Sequence, residues 1–347
     1  NPALYDKYMQ LKRRFIEEKI GIFDATPDID MTIAAVDAYL GESSSSVVQL
    51  FGFAGKPIFF TDEMTIWQKP TMEERASVQF GCNAVEPECI WFTAEGYNTF
   101  CCMDRQTGEI TPLLQFPDHP YSTGFYNAFL RIGSKFYFSP GRAKEICEYD
   151  AANGEFKLAP YEHPLEFGNF GGVVPYTKYL FFLPSRYPAL MRYDMETGEC
   201  KYYAECLKDI QQKIKPPHEE LLGPCAQRGI RAQKLLLPAM QSNLVLEFDM
   251  ETEEYKIYPV GPEDADCGGI VAVDENIYWL FPWQGRKIRR WNYCTGECEV
   301  LEDYPEDFSC EQDWFDPRSQ YMFSGILRFE RKIWLFPCYS NMILRLD

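Results

Sequence analysis

Three histidines are the entire imidazole complement of this 347-residue chain, and their spacing is regular. They open "HPYSTG" at His119, "HPLEFG" at His163 and "HEELLG" at His218, each five residues before a glycine: Gly124, Gly168 and Gly223. In the next interval Glu263 holds that place, five residues before Gly268. Imidazole with carboxylate is a donor set suited to zinc or another transition metal. His119, His163, His218 and Glu263 therefore form a candidate metal set, and a transition metal is the only cofactor the sequence raises. Repeats also copy residues, so a His-Pro turn inherited as structure gives the same spacing.

A second set could bind without reacting. Arg142, Arg186, Tyr187, Gln241, Asn243, Trp283, Gln284, Tyr339 and Asn341 follow short apolar runs that end in proline. Asn83, Asn127, Asn169, Arg228, Asp266 and Arg318 precede or open glycine-containing stretches. Flat apolar faces with a few directional polar groups suit a sugar or a peptide. Familiar catalytic phrases are missing: the chain has no phosphate loop, no G-x-S-x-G elbow, no H-E-x-x-H and no EF-hand loop.

The elements that must position these residues are written in a recurring phrase. "MDRQTGE" at 103–109 returns as "YDAANGE" at 149–155, "YDMETGE" at 193–199 and "WNYCTGE" at 291–297. Aligned on the acid or amide, the copies fall at Asp104, Asp150, Asp194, Asp249, Asn292 and Asp347. An Asp or Asn can bond its own backbone two residues on, and Gly108, Gly154, Gly198 and Gly296 supply the positive φ that closes a tight hairpin. Glu253 replaces that glycine in one copy, so its turn is expected to be strained or differently shaped. Pro140, Pro184, Pro282 and Pro337 lie 10 residues before the aligned position, and Pro238 lies 11 before. Each closes an apolar run that reads as a buried strand, because proline is tolerated only where the ladder ends. Gly172, Gly229, Gly269 and Gly325 mark a third strand position where backbones crowd.

Units of about 45 residues with four strands are the signature of a β-propeller. The chain resembles the kelch-type and related propellers over about 300 residues, through its unit length and the "YDMETGE" and "WNYCTGE" phrases. Its Gly-Gly pairs at 171–172 and 268–269 stand earlier than kelch units carry theirs. The resemblance implies a ring scaffold that hosts binders and enzymes alike.

The expected architecture is all-β: six four-stranded blades at 45–347, with a degenerate seventh as the alternative count. Segment 46–68 is expected to lend the last blade a strand and close the ring. Residues 1–44 read as a helical segment and linker, with Leu4, Tyr8, Leu11, Phe15 and Ile16 at helical spacing, Thr26 as a cap and "GESSSS" as a joint. Two insertions, 204–222 and 302–320, fall between blades on the face propellers usually use for binding. In the first, Leu207, Ile210 and Ile214 repeat at helical spacing.

Composition bounds the partners. With 34 Lys plus Arg against 52 Asp plus Glu, the net charge is -18, which repels phosphate backbones and anionic lipid. Nucleic acid and membrane surfaces are not expected. The 13 cysteines show no framework spacing and read as reduced thiols in a cytoplasmic chain. Three readings follow: a recognition module for a protein segment or glycan, an enzyme with a funnel-floor site assisted by metal on the histidines, or a scaffold or regulatory domain of a larger protein.

Overall fold

The computed structural model describes residues 2–19, 29–41, 47–60, 66–67, 79–95, 97–117, 124–214, 219–223, 233–283, 285–310, 322–329 and 332–346. Two compact units emerge, Asn1–Val78 and Gln79–Asp347. Residues 45–78 thus group with the N-terminal unit, not with the blades as the sequence suggested.

In the first unit α1 spans Pro2–Glu17 and α2 spans Ile29–Ala35. Strand β1 (Tyr39–Gly41) pairs in parallel with β2 (Ile58–Phe60), which pairs antiparallel with β3 (Ile66–Trp67). Between β1 and β2, Val47–Phe53 forms helix α3. Ile33, Phe51 and Ile58 make a small buried core. Lys56 Nζ donates to the carbonyls of Ile33 and Val36 and so satisfies the end of α2. The expected ring-closing strand in 46–68 is therefore corrected: the described part of that segment is helix, or strand paired within its own sheet. An apolar run such as "VVQLFGF" fits helix and strand alike by periodicity. Tyr8, Leu11 and Ile16 of α1 are exposed. The cap and joint expected at Thr26 and 42–46 lie outside the described residues.

The second unit is a propeller ring of six blades. The first holds β4 (Gln79–Val85), β5 (Cys89–Glu95), β6 (Thr99–Asp104) and β7 (Ile110–Gln115). The second holds β8 (Tyr126–Ile132), β9 (Lys135–Pro140), β10 (Glu145–Asp150) and β11 (Glu155–Pro160). The third holds β12 (Phe170–Tyr176), β13 (Tyr179–Pro184), β14 (Leu190–Asp194) and β15 (Cys200–Tyr203). In the fourth, β16 (Lys234–Pro238), β17 (Leu244–Asp249) and β18 (Tyr255–Pro259) are described, and the expected "RGIRA" strand lies outside the described residues. The fifth holds β19 (Gly269–Ala272), β20 (Ile277–Phe281), β21 (Ile288–Asn292) and β22 (Cys298–Leu301). The sixth shows β23 (Phe323–Phe329), β24 (Lys332–Pro337) and β25 (Leu344–Leu346). The described strands of each blade form an antiparallel meander, and the first strands β4, β8 and β12 lie innermost, with β8 packed beside both β4 and β12.

The recurring phrase does what its chemistry requires. Asp104 Oδ1 accepts the N–H groups of Gln106 and Thr107, both at 2.8 Å, and Gly108 N–H bonds back to the Asp104 carbonyl at 2.9 Å. Asp194 and Asn292 repeat the arrangement. Glu253 takes the glycine's place at a φ of 62°, and its N–H still bonds Asp249 at 2.8 Å. The turn keeps its shape, and the strain sits in one left-handed glutamate.

The apolar second strands fill the seams between blades. Phe181 and Leu183 of the third blade pack with Leu235, Leu237 and Phe248 of the fourth. The insertion after the third blade forms a short 3-10 turn, Glu205–Leu207, then helix α4, Lys208–Gln211. It adds Leu207 and Ile210 to the same core, as their helical spacing predicted. Each such side chain contributes about 1.5–3 kcal/mol when fully buried.

Candidate functional site

Lead-in segments before the innermost strands and the loops after the prolines share one face, and they are stitched together. The Gly141 carbonyl accepts the Asn169 N–H at 3.1 Å, carrying the second blade to the third. One blade on, the Ser185 carbonyl accepts the Leu221 N–H at 2.6 Å. The Met240 N–H then bonds the Leu221 carbonyl at 3.0 Å, so residues 219–223 run as a strap between the third and fourth blades. Gly223 must be small: a Cβ there would lie 2.5 Å from the Gly268 carbonyl oxygen.

Under this strap lies a cavity of about 120 Å³. Its walls come from Gly171, Gly172, Leu183, Pro184 and Ser185 of the third blade, Leu222, Gly223 and Met240 of the fourth, and Trp283 of the fifth. Glu220 stands at its edge. Gly171 explains why the space exists. Each innermost strand β8 and β12 has a β-bulge, at Asn127 and Gly171 respectively. Asn127 Nδ2 crosses to the Phe170 carbonyl of the third blade at 2.9 Å. Gly171 has no side chain to cross with, and a Cβ built on it would meet nothing nearer than Ser185 Cβ at 3.9 Å.

Beside the cavity is a cationic and aromatic cluster. Arg186 packs over the exposed ring of Phe167, with its guanidinium carbon 4.4 Å from the ring centroid, and Arg142 of the preceding blade lies 5.9 Å from the same ring. Arg186 also donates to Glu220 at 2.7 and 3.1 Å and to Glu219 at 3.2 Å. Burial alone would push the Glu220 carboxyl up, but the hydrogen bond and charge of Arg186 hold it below the ordinary range.

Most of the other polar residues singled out in the sequence are engaged in structure. Asn169 is buried and accepts from Leu165 N–H at 2.7 Å while donating to the Gly141 carbonyl at 2.9 Å. Asn243 donates to the Gly261 carbonyl and Asn341 to the Asp307 carbonyl. Asp266 accepts from the N–H groups of Trp283 and Gly285, which fixes the loop carrying Trp283. Tyr187 turns inward: its hydroxyl donates to the Glu162 carbonyl at 2.6 Å, and burial pushes its phenol up to about 12. Tyr339 is half-buried and Asn83 is exposed. Gln284, Arg228 and Arg318 lie outside the described residues.

The histidine set is only partly visible. His163 is exposed, at a φ of 47°. Its neighbour Glu162 accepts from Tyr187 and donates its N–H to the Tyr202 hydroxyl at 2.8 Å, on the outermost strand β15. That contact ties the residue before His163 to the outermost strand of the third blade. Glu263 is exposed, and His119 and His218 lie outside the described residues. Among the described residues no group of three or more His, Cys, Asp or Glu side chains could hold a metal ion.

Phe167, Glu219, Glu220, Gly171 and Met240 were not among the residues chosen from sequence. Gly171 had a signal: like Asn127, it lies 23 residues before its aligned aspartate.

No protein-family model and no curated protein matches the sequence. Solved structures do share its shape. Virginiamycin B lyase from Staphylococcus aureus superposes with a TM-score of 0.54 at 16% identity, covering 78% of this chain and 81% of that one. A streptogramin B lyase gives a TM-score of 0.53 at 17% identity, covering 77% and 79%. The extracellular domain of a hybrid two component system from B. thetaiotaomicron gives 0.52 at 12%, covering 80% of this chain and 35% of that one. At such identities the likeness establishes the β-propeller fold, a scaffold these comparisons find in an enzyme and in an extracellular domain alike.

Proposed function

We propose that the protein is a recognition module that binds a protein segment on the strap face, by taking one apolar side chain into the cavity between the third, fourth and fifth blades. The cavity carries this reading. Small-molecule sites usually enclose about 300–1,000 Å³, and about 120 Å³ is the scale of a single side chain. Its walls are leucine, proline, methionine and tryptophan with glycine backbone. Backbone groups left outside regular pairing by the bulge at Gly171 could hold an extended segment while its anchor is buried.

The kelch-type resemblance and a cytoplasmic setting go with this reading. A role as a domain of a larger protein is compatible with it.

The test is a fluorescence-polarisation screen of labelled hexapeptides with Leu, Met, Phe or Val anchors, run beside a glycan array. Peptide binding is expected, and Gly171→Asn should weaken it 10- to 100-fold, about 1.4–2.8 kcal/mol, without lowering the melting temperature. Glycan binding that survives Gly171→Asn, with no peptide binding, would replace the reading.

A further inference from the structure

Resting on that reading, we infer that the segment is recognised by its C-terminal carboxylate, held by Arg142 and Arg186 beside the cavity. Two guanidinium groups from neighbouring blades lie against the ring of Phe167, Arg186 at 4.4 Å and Arg142 at 5.9 Å from its centroid. Among the described residues, only one of the two is compensated. Arg186 has Glu219 and Glu220, while Arg142 is exposed and has no carboxylate partner among the described residues.

The two glutamates are held unequally. Glu220 is mostly buried and takes two bonds from Arg186. Glu219 is 70% exposed and makes one contact, at 3.2 Å. Glu219 therefore occupies Arg186 as a built-in stand-in that a ligand carboxylate can displace, taking its place on Arg186 and giving Arg142 a counter-charge. Arg is the side chain suited to this planar recognition.

Geometry links this subsite to the cavity. Glu220 touches both, with its residue at the cavity edge and its carboxylate on Arg186. One ligand residue that carries an apolar side chain and a carboxylate on the same Cα spans that step. Within a protein segment, only the C-terminal residue has both. The charge pattern matters because the protein as a whole is acidic, with a net charge of -18. An anionic end is repelled elsewhere on the surface and accepted at this pair, which favours selectivity over raw affinity.

The experiment uses hexapeptides ending in Leu or Met in three forms: free acid, C-terminal amide, and amide with Glu at the penultimate position. The free acid should bind at least tenfold more tightly than the plain amide. Arg142→Ala should erase that advantage, and Glu219→Gln should strengthen free-acid binding severalfold. The preference should also shrink as salt is raised. Equal binding of acid and amide, with both abolished by Gly171→Asn, would overturn the carboxylate subsite and leave the cavity reading intact. Preference for the penultimate-Glu amide would overturn the terminus as the source of the anion. If no form binds, the cavity reading falls and takes the subsite with it.

Discussion

Asn127 and Gly171 stand at the same place in neighbouring blades, yet Asn127 bonds across its seam at 2.9 Å and Gly171 leaves its seam open. The difference is one side chain, and it turns a sealed junction into a cavity. The converse change is informative. Asn127→Gly should remove the bond to the Phe170 carbonyl and lower stability by about 1–2 kcal/mol, read as a lower urea midpoint with an unchanged slope.

Glu253 holds a glycine's conformation because its side chain is needed next door. It pairs with Arg192 and Lys201 of the preceding blade. Burial tends to raise its carboxyl, and the lysine, Tyr203 and arginine contacts bring it below the ordinary range. Alanine loses the pairs and keeps the left-handed strain, whereas glycine loses the pairs and relieves it. Glu253→Ala should therefore be less stable than Glu253→Gly by about 1 kcal/mol, measured by thermal melting of both variants.

A second kind of seam uses buried carboxylates. Glu247 is 3% exposed, and it accepts from Tyr293 of the next blade and from Lys234 within its own, the latter at 2.6 Å. Glu148 and Tyr193 repeat the contact two seams earlier, between the second and third blades. Tyr293→Phe leaves a buried carboxylate short of a donor and should cost about 1–3 kcal/mol. Tyr258, at 3.4 Å from the same carboxylate, should matter less when changed to phenylalanine. Burial is the largest influence raising the phenols of Tyr193 and Tyr293. Raised phenols favour the folded state below their ordinary range and lose that contribution as pH climbs, so alkaline unfolding should begin above about pH 10.

The turn aspartates set the acid limit. Backbone N–H donors hold Asp104 below its ordinary range, and a hydrogen bond from Lys178 leads the depression of Asp194. Depressed carboxyls stabilise the fold above their ordinary range and lose that contribution as pH falls through the folded value. Stability should therefore decline below about pH 4. Asn292 makes the same turn without a charge. Asp104→Asn and Asp150→Asn should flatten the acid slope while leaving the neutral-pH urea midpoint close to that of the unmodified protein, as followed by tryptophan fluorescence.

The blades were legible because their signals are local. An Asp that caps its own turn, a glycine at positive φ and a proline at the end of a ladder each act within a few residues. Segment 46–68 misled because a short apolar run carries no period that separates helix from strand. The site was less legible for a different reason. Gly171, Met240 and Trp283 meet only because the ring brings three blades to one mouth, a distance in sequence no motif spans. Asn169 was chosen for its place before a glycine-containing strand and Tyr187 for its place after a proline-ended run, but their side chains turn to the backbone of neighbouring loops, a direction set by packing rather than spacing.

The carbonyls of Gly141 and Ser185 have a consequence for how the molecule comes into being. Each anchors the opening of the module that follows it, so a late module has no dock until its predecessor's second strand is laid down. During synthesis from the amino end, each of these two docks is complete before the segment that needs it emerges. A permuted chain that begins between those two partners would have to wait for its own tail before its first sheet could settle.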